Sequence, residues 1–204
     1  MNFLAHLHLS DPEPQAWIGS LLPDFGDKSD PSNHPPKIHH AIILHRKIDS
    51  FTDNHPVFIR SRKRIDDRFR LLKGILIDMF YDHFLAIHWV RYHPEPLEKF
   101  AQSVYSALRE NASSLPERLL YASDYMIREN WLVSYREISG IELVLRRMGK
   151  RLSRPTILGE GAEALEACYN ELEQDFFEFY PELVDFAMRQ KTVNSERLTV
   201  NGER

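Results

Sequence analysis

Among its 204 residues the chain has a single cysteine, Cys168. One thiol closes no internal disulfide, and a four-cysteine zinc site is excluded. No apolar run approaches the roughly 18–20 residues that cross a bilayer. Alternating apolar and polar residues bounded by Asn-Gly or Asp-Gly turns are missing, so no strand is predicted. Also missing are a glycine-rich phosphate loop, Gly-x-Ser-x-Gly, His-Glu-x-x-His and the Glu-x-x-His pairs of di-iron bundles. Positive charge is not in excess: 26 basic against 30 acidic residues give a net charge of −4, which argues against a polycation built for nucleic acid. The opening stretch 1–9 lacks a basic lead and carries two histidines, so it does not read as a signal peptide. A reduced, cytoplasmic compartment is the expectation.

What is present is the composition of a globular protein, with 43% hydrophobic and 27% charged residues. Helical periodicity recurs throughout. Apolar faces and helix-starting prolines predict helices over 14–22, 37–52, 56–66 and 69–90, with a loop over 25–36. Further helices are predicted over 96–111, 116–135, 137–149 and 158–179, with Pro181 restarting a short one. There is no internal repeat. The fold class expected is all-α, a helical bundle forming one domain over 1–190, followed by a polar tail, 191–204, expected to fray.

Two residue types are confined. All ten histidines lie between His6 and His93, and ten of the thirteen aspartates precede residue 94, whereas sixteen of the seventeen glutamates follow it. Aspartate is the poorer helix former. Its preference for the histidine-bearing half points to carboxylates used for their geometry, because His and Asp together serve hard-metal and phosphoryl chemistry.

Spacing sharpens this. His45, Asp49 and Asp53 stand at i, i+4 and i+8 and share a helix face. Asp78 and Asp82 repeat the i, i+4 pair in the most apolar helix of the chain, with His83 next to them. A carboxylate on such a helix is costly unless it is paired or bound to a cation. Two helices of this kind, packed together, bring several ligands onto one divalent ion. Imidazole and carboxylate without thiol favour Mn²⁺, Fe²⁺ or Mg²⁺ over structural zinc. The blander possibility is His–Asp hydrogen bonding that only fixes helix packing. Asp24, between Pro23 and Phe25, is a further candidate ligand or a turn former. His6 and His8, two apart on a short helix, face apart, so at most one reaches the same site.

Arg60, Arg62, Lys63, Arg64, Arg68, Arg70 and Lys73 face only two acids over 56–73, a local net charge of +5. This stretch is either a solvated helix face or a docking surface for an acidic partner. Aromatic interleaving of the nucleic-acid type is sparse.

A family resemblance rests on these same residues. Met1-Asn2-Phe3-Leu4-Ala5-His6-Leu7-His8-Leu9, Gly19-Ser20-Leu21-Leu22-Pro23-Asp24-Phe25, the run from His45 through Asp53-Asn54, and Asp78-Met79-Phe80-Tyr81-Asp82-His83 continuing to Trp89 resemble the acyl carrier protein phosphodiesterases. Trp131-Leu132-Val133-Ser134-Tyr135-Arg136 and Phe179-Tyr180-Pro181 extend the resemblance to about residue 190. It departs at Ser20, where the family commonly has Asn, and at Pro23, where it has a small residue, both in the loop that holds Asp24.

The resemblance implies an all-α fold similar to the HD-type metal phosphohydrolases. It implies Mn²⁺-dependent hydrolysis of holo acyl carrier protein to the apo protein and 4′-phosphopantetheine. On that basis the ion is held by some of Asp24, His45, Asp49, Asp78 and Asp82 and makes water nucleophilic. His83, or else His6, protonates the leaving serine oxygen, and Asp53 orients a ligand or the water. The acidic carrier gives the basic stretch a natural partner; neither a membrane nor nucleic acid is expected. Two other readings stay open, a phosphohydrolase of nucleotides or small diesters and a non-catalytic helical module that binds an acidic protein.

Overall fold

Proline opens three of the early helices, where its missing N–H costs nothing and its fixed φ suits the first turn. α2 (Pro14–Leu21), α3 (Pro36–Asn54) and α4 (Pro56–Arg64) all begin this way. Before them lies α1 (Phe3–Leu9), whose Asn2 side chain accepts the Phe3 N–H at 2.9 Å. Then follow α5 (Lys73–Ile87), α6 (Leu97–Glu110), α7 (Glu117–Arg128), α8 (Trp131–Ser134), α9 (Ile138–Arg151), α10 (Gly161–Ala167) and α11 (Tyr169–Asn201). The computed structural model describes residues 1–26, 29–151 and 156–201, with side chains beyond residue 192 and at residue 151 left aside. The fold is a single all-α domain, and no strand occurs among the described residues. No helix among them is long and apolar enough to cross a membrane.

α5 is the axis of the bundle. Leu76, Ile77, Met79, Phe80, Tyr81, Phe84, Leu85 and Ala86 are all fully buried, the signature of a helix apolar on every side. Removing each larger side chain from water contributes roughly 1.5–3 kcal/mol. The aromatic face of α11 packs on it through Phe176 and Phe179, both against Tyr81. On the other side, α2 lies hard against α3. A Cβ on Gly19 would meet the Ile38 carbonyl at 2.7 Å and the Ala41 Cβ at 2.8 Å, so only glycine permits this approach.

Three predicted helices are cut differently. The span 69–90 begins later, because Arg70 adopts φ 44° within the 3-10 stretch Asp67–Leu72, and it closes in the turn Trp89–Arg91. The span 116–135 divides at Asn130, whose φ of 50° is a conformation asparagine tolerates. The span 158–179 breaks at Cys168, and Pro181 does not restart a helix but lies inside α11. An interior proline costs about 3 kcal/mol. Phe179, Tyr180 and Leu183, fully buried around it, offset that cost. The expected fraying of 191–204 falls mostly on residues whose side chains lie outside the described set.

Part of the basic stretch is spent on α11. The carboxylate of Asp175, 2% exposed, accepts from Arg60 Nε at 2.9 Å, Arg64 Nε at 2.7 Å and Ser61 Oγ at 2.7 Å. Arg60 also reaches Glu178, and Arg68 pairs with Glu160 and Glu163. Lys73 pairs with Asp67. Arg62, Lys63 and Arg70 form no ion pair among the described residues.

Candidate metal centre

Four segments meet at one point because of backbone contacts that the side-chain pattern does not reveal. α1 is docked by Asp82 of α5, whose oxygens accept the Leu4 N–H at 2.8 Å and the Ala5 N–H at 3.0 Å. These are amides of the first turn, which has no partner of its own within the helix. With the turn held, His6 is carried to the inner face and is buried. His45 of α3 donates its Nδ1–H to the Ser20 carbonyl at 2.7 Å. Ser20 is brought there by the close α2–α3 approach at Gly19. That bond fixes the tautomer and leaves Nε2 facing the cluster, as backbone carbonyls do for metal-binding histidines.

Asp49, one turn after His45, bridges the two rings. Its Oδ2 is 3.0 Å from His45 Nε2 and its Oδ1 3.1 Å from His6 Nε2. Asp24 arrives on the 3-10 turn Leu22–Phe25, which Gly26 closes at φ 82°, and its Oδ1 is 3.8 Å from His45 Nε2. The Met1 ammonium lies 3.3 Å from Asp49 Oδ1 and 3.1 Å from Asp78 Oδ1.

This donor set fits a divalent cation. Ligand atoms of His6, His45 and Asp49 lie within 4.8 Å of one another. Both ring nitrogens of His6 are buried without an aligned hydrogen bond, although Nε2 stands at contact distance from Asp49, and Asp78 Oδ1 is buried in the same condition. Buried polar atoms are rarely left so. Three carboxylates, those of Asp24, Asp49 and Asp78, face one ammonium.

The titration of these groups follows from the same geometry. Burial, with His45 next to it, pushes His6 down to about 3, so its ring is neutral. Burial acts on His45 in the same direction, but Asp49 and Asp24 outweigh it and raise the ring. Burial lifts the Asp49 carboxyl, yet His45 and His6 more than reverse this and hold it well below the usual range. Burial pushes Asp24 up to about 6 against the pull of His45, and raises Asp78 against the ammonium. The Met1 ammonium is lowered by burial and, on balance, raised to about 11 by Asp78 and Asp49.

Asp24 also belongs to a cleft of about 230 Å³. Phe3, Phe25, Ile75, Met148 and Leu158 form its apolar wall, with Asn2 and Asp24 its polar one. The cluster therefore opens onto a largely apolar groove between the starts of α1 and α5 and the end of α9.

The structure thus gathers His6, His45, Asp49, Asp24 and Asp78. It sets Asp82 apart as the anchor of α1, with burial lifting its carboxyl to about 8 against the two amides. It also turns His83 away from the cluster. His83 donates Nδ1–H to the Tyr135 carbonyl at 2.7 Å and accepts from the Tyr169 hydroxyl at 3.1 Å. Asp53 is exposed at the rim, near enough to Asp78 to raise it further. His8 faces the other way, accepting from Tyr180 at 2.8 Å and donating to the Tyr92 carbonyl at 3.1 Å. Sequence reasoning missed the Met1 ammonium and the Ser20 carbonyl, since main-chain groups carry no residue signal. The i and i+2 spacing of His6 and His8 was the one available sign that a first-helix histidine points inward.

A family profile described as "Acyl carrier protein phosphodiesterase" matches residues 1–183. The chain is similar to proteins named acyl carrier protein phosphodiesterase from Pectobacterium atrosepticum, 34% identical over 94% of this chain and 100% of the relative. It is also similar to one from Salmonella agona, 35% identical over 93% of this chain and 99% of the relative. No solved structure matches the chain significantly, so the likeness to HD-type phosphohydrolases has no structural counterpart in that comparison.

Proposed function

Since the chain belongs to the acyl carrier protein phosphodiesterase family, we propose that it hydrolyses the phosphodiester between 4′-phosphopantetheine and the serine of holo acyl carrier protein. The products are the apo protein and 4′-phosphopantetheine, and the reaction depends on Mn²⁺, with Mg²⁺ or Fe²⁺ as substitutes, in a reduced cytoplasmic compartment. The observation that carries the metal-dependent reading is the bridging of His6 and His45 by Asp49 at the head of an apolar cleft.

His6, His45 and Asp49 would hold the cation, with Asp24 and Asp78 in support. A divalent cation bound there would supply Lewis-acid polarisation of the phosphodiester and a water activated near neutral pH. The chain's own residues do the rest. The Ser20 carbonyl keeps the proton of His45 on Nδ1, so that Nε2 stays a donor of electrons. Burial keeps His6 neutral for the same purpose. Phe3, Phe25, Ile75, Met148 and Leu158 exclude water from one side of the scissile group and bind the apolar part of the arm. Asp24 is the carboxylate common to cluster and cleft, so it faces the substrate phosphate. Its negative charge would make a bound cation a condition for taking up a phosphate there. Proton donation from His83 is disfavoured, because that ring is engaged by Tyr135 and Tyr169 on another face of α5.

Mass spectrometry of holo acyl carrier protein incubated with the chain and Mn²⁺ tests this reading. Loss of the entire phosphopantetheine mass is expected. An unchanged carrier with cleaved nucleotides would replace the reading by a small-diester hydrolase, and a stable complex of unchanged mass would replace it by a binding module.

A further inference from the structure

The scissile bond lies at the root of the carrier's arm, not at its tip. The carrier's own surface must therefore pack directly against the mouth of the cluster. This condition separates the two basic faces of the molecule. On α4 and the 3-10 stretch after it, Arg60 and Arg64 are committed to Asp175 and Arg68 to Glu160 and Glu163, which leaves Arg62, Lys63 and Arg70 as the unpaired cations of that face among the described residues, and no residue of that face lines the cleft beside Asp24.

The face formed by α7 and α9 borders the site. Arg118 of α7 lies over Gly26, two residues beyond Asp24. A Cβ placed on Gly26 would meet its Nη1 at 2.8 Å. Arg118 is exposed and forms no ion pair among the described residues. Further along α7, Tyr121 and Tyr125 face Leu143, Arg146, Arg147 and Lys150 of α9 across a surface groove. Tyr121 is 61% and Leu143 43% exposed. Arg147 lies over the Tyr125 ring at 5.0 Å and pairs with Glu129, Arg146 pairs with Glu142 one turn back, and the exposed Lys150 forms no ion pair among the described residues. Among the described residues that line the groove none is acidic, and the carboxylates of Glu142 and Glu129 stand beside it on Arg146 and Arg147. Met148, between Arg147 and Lys150, lines the cleft beside Asp24. One helix thus presents a basic face outward and an apolar residue to the cleft.

Given the hydrolase reading above, we propose that the acidic carrier docks on the α7–α9 groove. Tyr121 and Leu143 make the apolar centre of the contact, and Arg118, Arg146 and Lys150 complement the carrier's acidic surface. From there its serine reaches the cluster at Asp24 and the arm runs into the cleft past Met148. Aromatic and apolar residues ringed by charge are the usual make-up of such a contact.

The test sets two charge reversals against each other in the full, Mn²⁺-loaded chain. Arg146→Glu with Lys150→Glu should raise KM for holo acyl carrier protein by at least about tenfold, leave kcat within about twofold, and flatten the salt dependence of KM. Arg62→Glu with Lys63→Glu should leave KM within about twofold. The same variants are titrated with apo acyl carrier protein by fluorescence anisotropy, a readout that needs no turnover. If wild type binds the carrier but does not cleave it, the reaction assignment fails and the anisotropy series alone decides the docking face. Unchanged binding in the α9 pair, or weakened binding only in the α4 pair, overturns the proposal.

Discussion

The imidazole of His6 lies flat against that of His45, with ring centroids 3.7 Å apart and planes inclined by 12°. Two charged rings at this distance would repel, and His45 does push the titration of His6 downward. The stack is stable with His6 neutral, and it brings both Nε2 atoms to one carboxylate, that of Asp49.

Asp49→Ala removes both of these contacts together. Affinity for Mn²⁺, measured by isothermal titration calorimetry, should fall by at least about a hundredfold. His8→Ala should leave it nearly unchanged, because His8 is bonded to Tyr180 and Tyr92. Equal effects of the two substitutions would remove Asp49 from the ligand set.

Asp82→Asn acts on a different level. The amide keeps one acceptor oxygen but turns an NH₂ toward the second backbone donor of α1. Urea unfolding should show a loss of about 1–3 kcal/mol, with a smaller fall in Mn²⁺ affinity than Asp49→Ala produces. The reverse order, stability intact and affinity abolished, would restore Asp82 as a ligand.

The contrast between these two aspartates shows what was legible in the chain. His45 and Asp49 share a face of one helix, so their spacing alone brought them together. Asp78 and Asp82 carried the same i, i+4 signal, yet only Asp78 faces the cluster. The partners of Asp82 are the main-chain amides of Leu4 and Ala5, which any residue would supply. The all-α class followed from periodicity, whereas the breaks at Arg70 and Asn130 depend on positive φ, which arginine usually avoids and which asparagine only permits. The basic run 60–73 was visible as charge, but the pairing of Arg60 and Arg64 with Asp175, more than a hundred positions away, was not.

Asp175 makes acid stability a test of that pairing. Burial raises its carboxyl, and the hydrogen bonds from Arg64, Ser61 and Arg60 more than reverse this, so its folded pKa lies below the unfolded one. The stability it contributes is present above the unfolded value of about 3.9 and is lost as pH falls through the folded value. Asp175→Asn should cost about 2–3 kcal/mol at pH 7, since the amide loses the charge and keeps one acceptor oxygen for the three donors Arg60, Arg64 and Ser61. Chemical denaturation from pH 7 to pH 2 should show a shallower acid loss in the variant. Parallel curves would assign the acid sensitivity to other carboxylates.

Gly19→Ala probes the seam between α2 and α3. Its new methyl would meet the Ile38 carbonyl at 2.7 Å, and backbone yields poorly. Thermal denaturation should report a loss of about 1–3 kcal/mol. Because Ser20 moves with the seam, Mn²⁺ affinity should fall by roughly tenfold through the His45 hydrogen bond. A destabilised variant with unaltered affinity would show that His45 keeps its orientation without the Ser20 carbonyl.

With its first amides received by a carboxylate of the central helix, α1 has no freedom separate from that of His6. Fraying of this seven-residue helix and surrender of a ring nitrogen are one event. A bound ion would act as a clasp on the edge of the fold, and hydrogen exchange at the amides of Leu4 and Ala5 would register its arrival and departure.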